Sequence, residues 1–418
     1  MFNKLRLTDV LPQLVNKRVF LRTDFNTPLK NNKVADNTRI LESLPTITKL
    51  LENDTKGIVI ASHLGRPNGM RHPNMSLLPV KDELEQLMKL KVKYCSDCVG
   101  EEALTLSHEL KKGEILLLEN LRYHTEEEGS SKDEKGNKVK ASKESVDIFR
   151  KQLTAMGEVY VNDAFGTCHR AHSSIVGVDL PLKVAGLLLE KELEFFAKAL
   201  NHPSKPVTVI IGGSKVKDKL PLIRNLITFA DDIIIGGGMA FTFLHEIDKM
   251  EIGKSIIDTM SISEILPIFQ EAEKHGVRIH LPKDFICATS PEDTQGVITR
   301  TEAQGITPDL GGYDIGPESV KSFSKVIAKS KTIIMNGPMG VFENEKFKTG
   351  TIDLVKEIVQ ASKDKEVVSV VGGGDTVRAV NMVDQAKNII SHISTGGGAS
   401  IELLEGKQLP GVSFLSDR

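Results

Sequence analysis

At 418 residues the chain exceeds the size at which one hydrophobic core stops growing, which predicts two domains. A formal net charge of -2 excludes nonspecific nucleic-acid binding through bulk charge, so an acidic ligand must be met by local basic clusters. Four cysteines, at 95, 98, 168 and 287, form no disulfide framework in a chain this large; the Cys95–Cys98 C-x-x-C has the spacing of a redox pair or of half a zinc site, but lacks the second pair that a four-ligand zinc site needs.

The first twenty residues carry charges every few positions and contain no apolar h-region, and the chain ends in Ser-Asp-Arg rather than a Ser-Lys-Leu address. The expectation is a cytoplasmic, reducing location with neither membrane nor nucleic-acid partner. In chain order, strand-like runs at Arg18 to Leu21, Ile58 to Ala61, Ile115 to Leu118 and Val159 to Val161 alternate with helix-period segments at Thr38 to Glu52, Pro79 to Leu90 and Ser145 to Met156. The charged segment from Glu126 to Lys143 has no apolar periodicity; it reads as a solvated loop or hairpin without chemistry.

Leu187 to Leu200 has helical rather than linker composition, and its apolar residues leave little of the circumference polar. It is expected to be a stiff hinge helix packed against both domains. Beyond it, strand runs recur at Val207 to Ile211, Ile233 to Ile235, Arg278 to Leu281, Thr332 to Ile334 and Val367 to Val371. The reading is therefore α/β: two doubly wound parallel-sheet (Rossmann-like) domains joined by the hinge helix. The expected boundaries are 1–186 for the N-terminal domain, 187–200 for the helix and 201–404 for the C-terminal domain, with the tail 405–418 returning to the first.

The two halves decorate their strand ends differently. In the second, Val207–Ile211 leads into Gly212, Gly213 and then Lys215, Lys217 and Lys219, expected at the opening of a helix. Glycine triplets at Gly236–Gly238, Gly372–Gly374 and Gly396–Gly398 follow further apolar runs. Turns of this kind bare backbone N–H groups at helix starts, where anions bind, so a polyphosphate is the expected occupant. In the first half the strand ends carry Arg22, Asp24, Asn26 and Arg39; His63 and Arg66; Arg122 and His124; and His169, Arg170 and His172. The fold would gather them into one basic bowl, and arginine suits planar recognition of carboxylate and phosphate. A polyphosphate on one lobe and a small anion on the other call for phosphoryl transfer in a closing cleft.

Familiar nucleotide signatures are missing. Gly253-Lys254-Ser255 is not a P-loop, since Asp248 stands where its first glycine belongs; no G-x-G-x-x-G follows the first strand; and His169-Arg170 is followed by alanine, not the aspartate of a protein-kinase loop.

Seven other segments together carry a resemblance. They are DFN (Asp24 to Asn26), SHLGRP (Ser62 to Pro67), NDAFGT (Asn162 to Thr167), HRAHSS (His169 to Ser174), NGPMGVFE (Asn336 to Glu343), GGGDT (Gly372 to Thr376) and STGGGAS (Ser394 to Ser400). Over essentially its whole length the chain resembles the phosphoglycerate kinases. The resemblance implies reversible transfer of the acyl phosphate of 1,3-bisphosphoglycerate to MgADP, giving 3-phosphoglycerate and MgATP, in glycolysis and gluconeogenesis, by a cytoplasmic monomer that closes its two domains around the substrates. It implies that Asp24, Asn26, Arg39, His63, Arg66, Arg122 and Arg170 bind 3-phosphoglycerate. Gly213, Ser214, Lys215, Lys219, Gly238, Gly312, Asn336, Pro338, Glu343, Gly374, Asp375 and Thr376 would hold ATP or ADP, with Glu343 on the ribose and Asp375 as the Mg2+ ligand. Arg39, Lys215, Lys219 and the amides at Gly373 and Gly397 would stabilise the transferring group.

Ser214 replaces a common alanine and Met335 a frequent tryptophan, both adjoining the predicted nucleotide site. Two alternatives, an NAD(P)-dependent dehydrogenase and a non-catalytic nucleotide-binding protein, would require respectively the missing glycine fingerprint and the loss of Lys215, Arg39 or Asp375.

Overall fold

The computed structural model describes residues 3–293 and 296–418. The chain divides into two compact units, Met1–Glu194 with Gln408–Arg418, and Phe195–Lys407.

The sheet of the first unit is built from β1 (Arg18–Thr23), β2 (Gly57–Ala61), β3 (Val92–Tyr94), β4 (Ile115–Leu117), β5 (Val159–Asp163) and β6 (Lys183–Ala185). All six run parallel, in the order β6-β5-β1-β2-β4-β3. Strands β1, β2, β4 and β5 are buried along their whole length, which is why their central residues read as apolar runs rather than alternating ones. Helix α1 (Thr38–Glu52) covers the sheet by burying Ile40, Ser43, Ile47 and Leu50, a three-to-four spacing that puts them on one face. Chain order reverses across the sheet between β1 and β5. That switch point is where Asp24 and the segment from Asn162 to Arg170 emerge.

The second unit contains β7 (Val207–Ile211), β8 (Asp232–Ile235), β9 (Arg278–His280), β10 (Asp284–Ala288), β11 (Ile298–Thr301), β12 (Gly311–Ile315), β13 (Thr332–Asn336), β14 (Val368–Gly372) and β15 (His392–Ile393). Six of these form a parallel sheet in the order β9-β8-β7-β13-β14-β15, with its switch point between β7 and β13. Strands β10, β11 and β12 make a separate antiparallel sheet that the sequence reading did not foresee. Helix α2 (Leu187–Leu200) begins in the first unit and ends in the second. Its start is capped inside the first unit by Asp163 Oδ1, which accepts from the Leu188 and Leu189 amides at 2.9 and 3.3 Å. Near its end, Phe195 stacks on His392 at 4.7 Å within the second unit.

Two expectations need correction. The lysines after β7 do not open an α-helix: Lys217–Lys219 is a single 3-10 turn, and helix α3 (Leu220–Ile227) starts after it. The charged segment does form a hairpin, Ser130–Lys132 with Lys138–Lys140, but it is not all solvated, since Glu127 lies fully buried in the short helix before it.

Candidate active site

In the first unit the residues after β1, β2, β4 and β5 converge as the strand-end pattern requires. Asp24 follows β1, and its Oδ2 lies 2.6 Å from Nη1 of Arg39, the second residue of α1. Its Oδ1 accepts from the Asn26 amide at 3.2 Å and sits 4.0 Å from Nδ1 of His63. Burial works to raise the Asp24 pKa, but the Arg39 and Arg22 guanidiniums and the hydrogen bond from the Asn26 amide outweigh it and hold the carboxyl well below the usual range. Asn26 accepts from the Gly65 amide through Oδ1 at 2.8 Å, and Arg122 donates to the Gly65 carbonyl at 2.9 Å, so one backbone turn ties the loops after β1, β2 and β4 together. Gly166 is required here, because a Cβ at that position would stand 2.5 Å from Asp24 Oδ2. Arg66 and Arg170 are exposed, while His63 and Arg122 are buried.

Arg22 departs from the expectation for the strand ends. It lies within β1 rather than beyond it, and its side chain is 0 % exposed. His172 is also buried, with Nδ1 unpartnered by any hydrogen bond.

Burial first, then the positive charges of Arg122, Arg22 and Arg170, push the His172 pKa from 6.5 down to about 3. The folded state therefore binds fewer protons here than the unfolded chain. The stability this contributes is complete above pH 6.5 and is lost as pH falls towards about 3. Asp163 and Asp314 have the opposite sign: burial raises them to about 7 and about 8, so their contribution fades as pH rises. A comparison of wild type with His172→Gln isolates the histidine. The melting-temperature advantage of the wild type should shrink as the pH is lowered from 6.5 towards about 4; a gap that is constant with pH would contradict the assignment.

In the second unit a cavity of about 320 Å³ opens at the switch point, near the lower end of the size range of small-molecule sites. Of the predicted nucleotide residues, Gly213, Ser214, Gly238, Gly312, Pro338, Glu343 and Asp375 line it. Gly213 has φ +124°, and a Cβ on the preceding Gly212 would collide with the Pro338 carbonyl, so the turns after β7 and β13 pack backbone against backbone.

Lys215, Lys219, Asn336, Gly374 and Thr376 lie outside the cavity lining, at the neighbouring strand ends. Lys219 Nζ donates to Asn336 Oδ1, Asn336 Nδ2 donates to the Gly372 carbonyl at 3.1 Å, and the Gly337 amide donates to Thr376 Oγ1 at 2.7 Å. Burial lowers the Lys219 pKa. The three glycine triplets each turn a strand into a helix: Gly238 caps Met239–Ile247, Gly373 caps Gly374–Val380 and Gly397 caps Gly398–Leu404.

Sequence reasoning missed the apolar wall of this cavity, which is built from Phe241, Ile256, Phe285, Tyr313, Val341 and Phe342. The antiparallel sheet supplies Phe285 and Tyr313, and the run Asp284-Phe-Ile-Cys-Ala was the available signal for it. Also missed was Arg378, which stands 3.3 Å from Glu343 and 3.4 Å from Asp375. Met335 does not adjoin the cavity; it is fully buried in the core with Ile210 and Ile333, while Ser214 does line the wall.

The four cysteines are free and buried. Cys98 shares a cluster with Asp97 and His124 whose potential ligand atoms lie within 4.8 Å of one another. The histidine and the carboxylate already have partners: His124 Nε2 is 2.6 Å from Asp97 Oδ1, and Arg71 donates to Asp97 Oδ2 at 2.5 Å. Burial pushes the Cys98 thiol well above its ordinary value, so it is no ready thiolate.

A basic bowl at one switch point and a glycine-turned cavity with half-buried and exposed lysines at another are the equipment of a phosphotransferase with an anionic acceptor. Comparison with known proteins narrows that class. The family model described as phosphoglycerate kinase matches residues 7–407. The phosphoglycerate kinase of Saccharomyces cerevisiae is 50% identical over 416 residues, covering 100% of this chain and 99% of its own length. That of Candida albicans is 49% identical over 416 residues, with the same coverage. Among solved structures, phosphoglycerate kinase from Coxiella burnetii superposes with a TM-score of 0.85 at 33% identity over 98% of both chains. The enzyme from Pyrococcus horikoshii OT3 gives 0.79 at 30% identity, again over 98% of both.

The chain belongs to the phosphoglycerate kinase family, kinases that use ATP and ADP and transfer phosphate to a carboxyl group. Neither a dehydrogenase nor a non-catalytic nucleotide binder is favoured beside that membership. No helix among the described residues is long and apolar enough to cross a membrane.

Proposed function

We propose that the first unit binds 3-phosphoglycerate and the second binds the nucleotide, the reaction being reversible transfer of the acyl phosphate of 1,3-bisphosphoglycerate to MgADP. The observation that carries this reading is that each set of residues gathers at the switch point of its own parallel sheet. Arg39, His63, Arg66, Arg122 and Arg170 take the phosphate and carboxylate of the substrate, and Asp24 and Asn26 orient its hydroxyl. The apolar wall takes the adenine and Glu343 the ribose. The turns at Gly213, Gly238, Gly373 and Gly397 meet the phosphates with Lys215, Lys219, Asn336 and Thr376.

Asp375 suits Mg2+, since it offers one accessible carboxylate beside the phosphate turn, and magnesium takes few carboxylates and keeps its waters. When bound, the ion would neutralise phosphate charge.

The acceptor in the ATP-consuming direction is a carboxylate, ionised at neutral pH, so the chain needs to supply no general base. Its work is charge neutralisation by Arg39, Lys215 and Lys219. At an effective dielectric near 20, a pair of unit charges ~4 Å apart interacts by about 4 kcal/mol, so several cations around one phosphoryl group outweigh any single hydrogen bond. Direct transfer also requires groups held by the two units to meet, which makes domain closure part of the cycle. The enzyme works as a cytoplasmic monomer.

Calorimetric titration of the two ligands against two variants tests the assignment. Arg122→Ala should weaken 3-phosphoglycerate binding at least about tenfold and leave MgADP affinity unchanged; Glu343→Ala should do the reverse. Weakening of both ligands by either variant, or of the opposite ligand, would contradict it.

A further inference from the structure

We propose that Arg22 is a positioning residue that fixes His63 in the tautomer carrying its proton on Nε2, so that the imidazole meets the anionic substrate with an N–H donor. The substrate half of this proposal rests on the reading of His63 as a phosphoglycerate ligand.

The argument is one of donor and acceptor counting. The Arg22 guanidinium is fully buried and every one of its nitrogens is committed. Nε donates to Ser174 Oγ at 2.7 Å, Nη1 donates to the Thr23 carbonyl, and Nη2 lies 3.3 Å from Nδ1 of His63. A guanidinium has donors only and stays protonated in proteins. Whatever faces Nη2 must therefore accept. A proton on Nδ1, in the other neutral tautomer or in imidazolium, would set N–H against N–H between two buried groups. The competing acceptor for such a proton, Asp24 Oδ1, is 4.0 Å away, beyond hydrogen-bond distance.

The charges around His63 agree with a neutral ring. Asp24 faces it, but so do Arg122, Arg22 and Arg39, and with burial as the largest influence the imidazole is held neutral well below its ordinary pKa. A neutral ring with its lone pair on Nδ1 carries its hydrogen on Nε2.

Arg22 is itself held in place. Glu127, whose side chain is fully buried, lies 3.9 Å from Nη2 and accepts from the Ser174 hydroxyl at 2.6 Å and the Ser174 amide at 2.9 Å. The chain Glu127, Ser174, Arg22, His63 thus runs from the segment to which the sequence reading assigned no chemistry into the substrate bowl. The consequence is a choice of sign: an Nε2–H attracts a phosphate or carboxylate oxygen, whereas a lone pair on that nitrogen would repel it.

Nitrogen-15 NMR of the intact wild-type chain, with His63 assigned from the signals that vanish in His63→Gln, reads the tautomer directly. The expected spectrum at neutral pH shows an unprotonated Nδ1 and a protonated Nε2. A protonated Nδ1, or an imidazolium, would overturn the proposal without any variant at Arg22 having to fold. Adding 3-phosphoglycerate should shift the Nε2 resonance. An unchanged resonance would remove the substrate half while leaving the tautomer assignment standing.

The double variant Arg22→Met with Glu127→Gln removes both buried charges together, avoiding an unpaired ion. It should yield mixed His63 tautomers and a KM for 3-phosphoglycerate raised about tenfold, with the nucleotide KM unchanged. A wild-type tautomer and KM in that variant would show that Arg22 positions nothing.

Discussion

Replacing Arg39 with alanine is expected to lower turnover on the order of a thousandfold while the protein stays folded, by analogy with cationic stabilisers of phosphoryl transfer. The side chain is 34 % exposed, so truncation leaves no buried cavity, and its ion pair with Asp24 is partly screened. Asp24 keeps the Asn26 amide as a partner after the change. The main cost should therefore fall on kcat, with a smaller loss of melting temperature because the buried Asp24 loses its nearest cation. Arg39→Lys keeps the charge but loses the planar fork and should lie between the two. Saturation kinetics with both substrates, alongside a thermal melt of each variant, separates these outcomes; near-native turnover of folded Arg39→Ala would remove Arg39 from the chemistry.

Lys215→Ala should lower kcat by roughly a hundredfold to a thousandfold, the loss typical of deleting one preorganised stabiliser of developing charge. Lys215 is exposed in the turn after β7, so its removal should change stability by no more than about 0.5 kcal/mol. A lysine that acts mainly in the transition state moves kcat more than the nucleotide KM. A large rise in nucleotide KM at constant kcat would instead make it a ground-state ligand. Lys219 is a poorer probe, because its Nζ also satisfies Asn336 Oδ1 and its removal would disturb the β13 end.

What could be read from the sequence was whatever burial and strand ends impose. Parallel strands buried on both faces are mostly apolar runs, so Val207–Ile211 and its neighbours stood out. Residues that follow such strands reach the same edge of the sheet, which is why Asp24, Arg39, His63 and Arg122 could be grouped before any contact was known. Where geometry depends on which way a side chain turns, sequence was mute. Arg22 in β1 and Arg39 at the start of α1 were grouped alike, yet one is sealed inside and the other reaches solvent. Glu127 sits in a run of three glutamates with nothing to distinguish it, and only the fold brings it to Ser174. The apolar wall of the cavity was missed because its strands, β10 and β12, are short and mix glycine and aspartate with the aromatics. The lysines after β7 were placed on a helix because one was expected to open directly after the glycine turn, while the chain spends them in a tight turn that delays the helix to Leu220.

The central claim, that this chain phosphorylates the carboxylate of 3-phosphoglycerate, is met most directly by trapping the acyl phosphate with hydroxylamine in a mixture of wild-type protein, MgATP and 3-phosphoglycerate. The expected result is hydroxamate that requires all three components and disappears when magnesium is chelated. Folded, magnesium-replete protein that forms no hydroxamate, or forms it equally without 3-phosphoglycerate, would contradict the account.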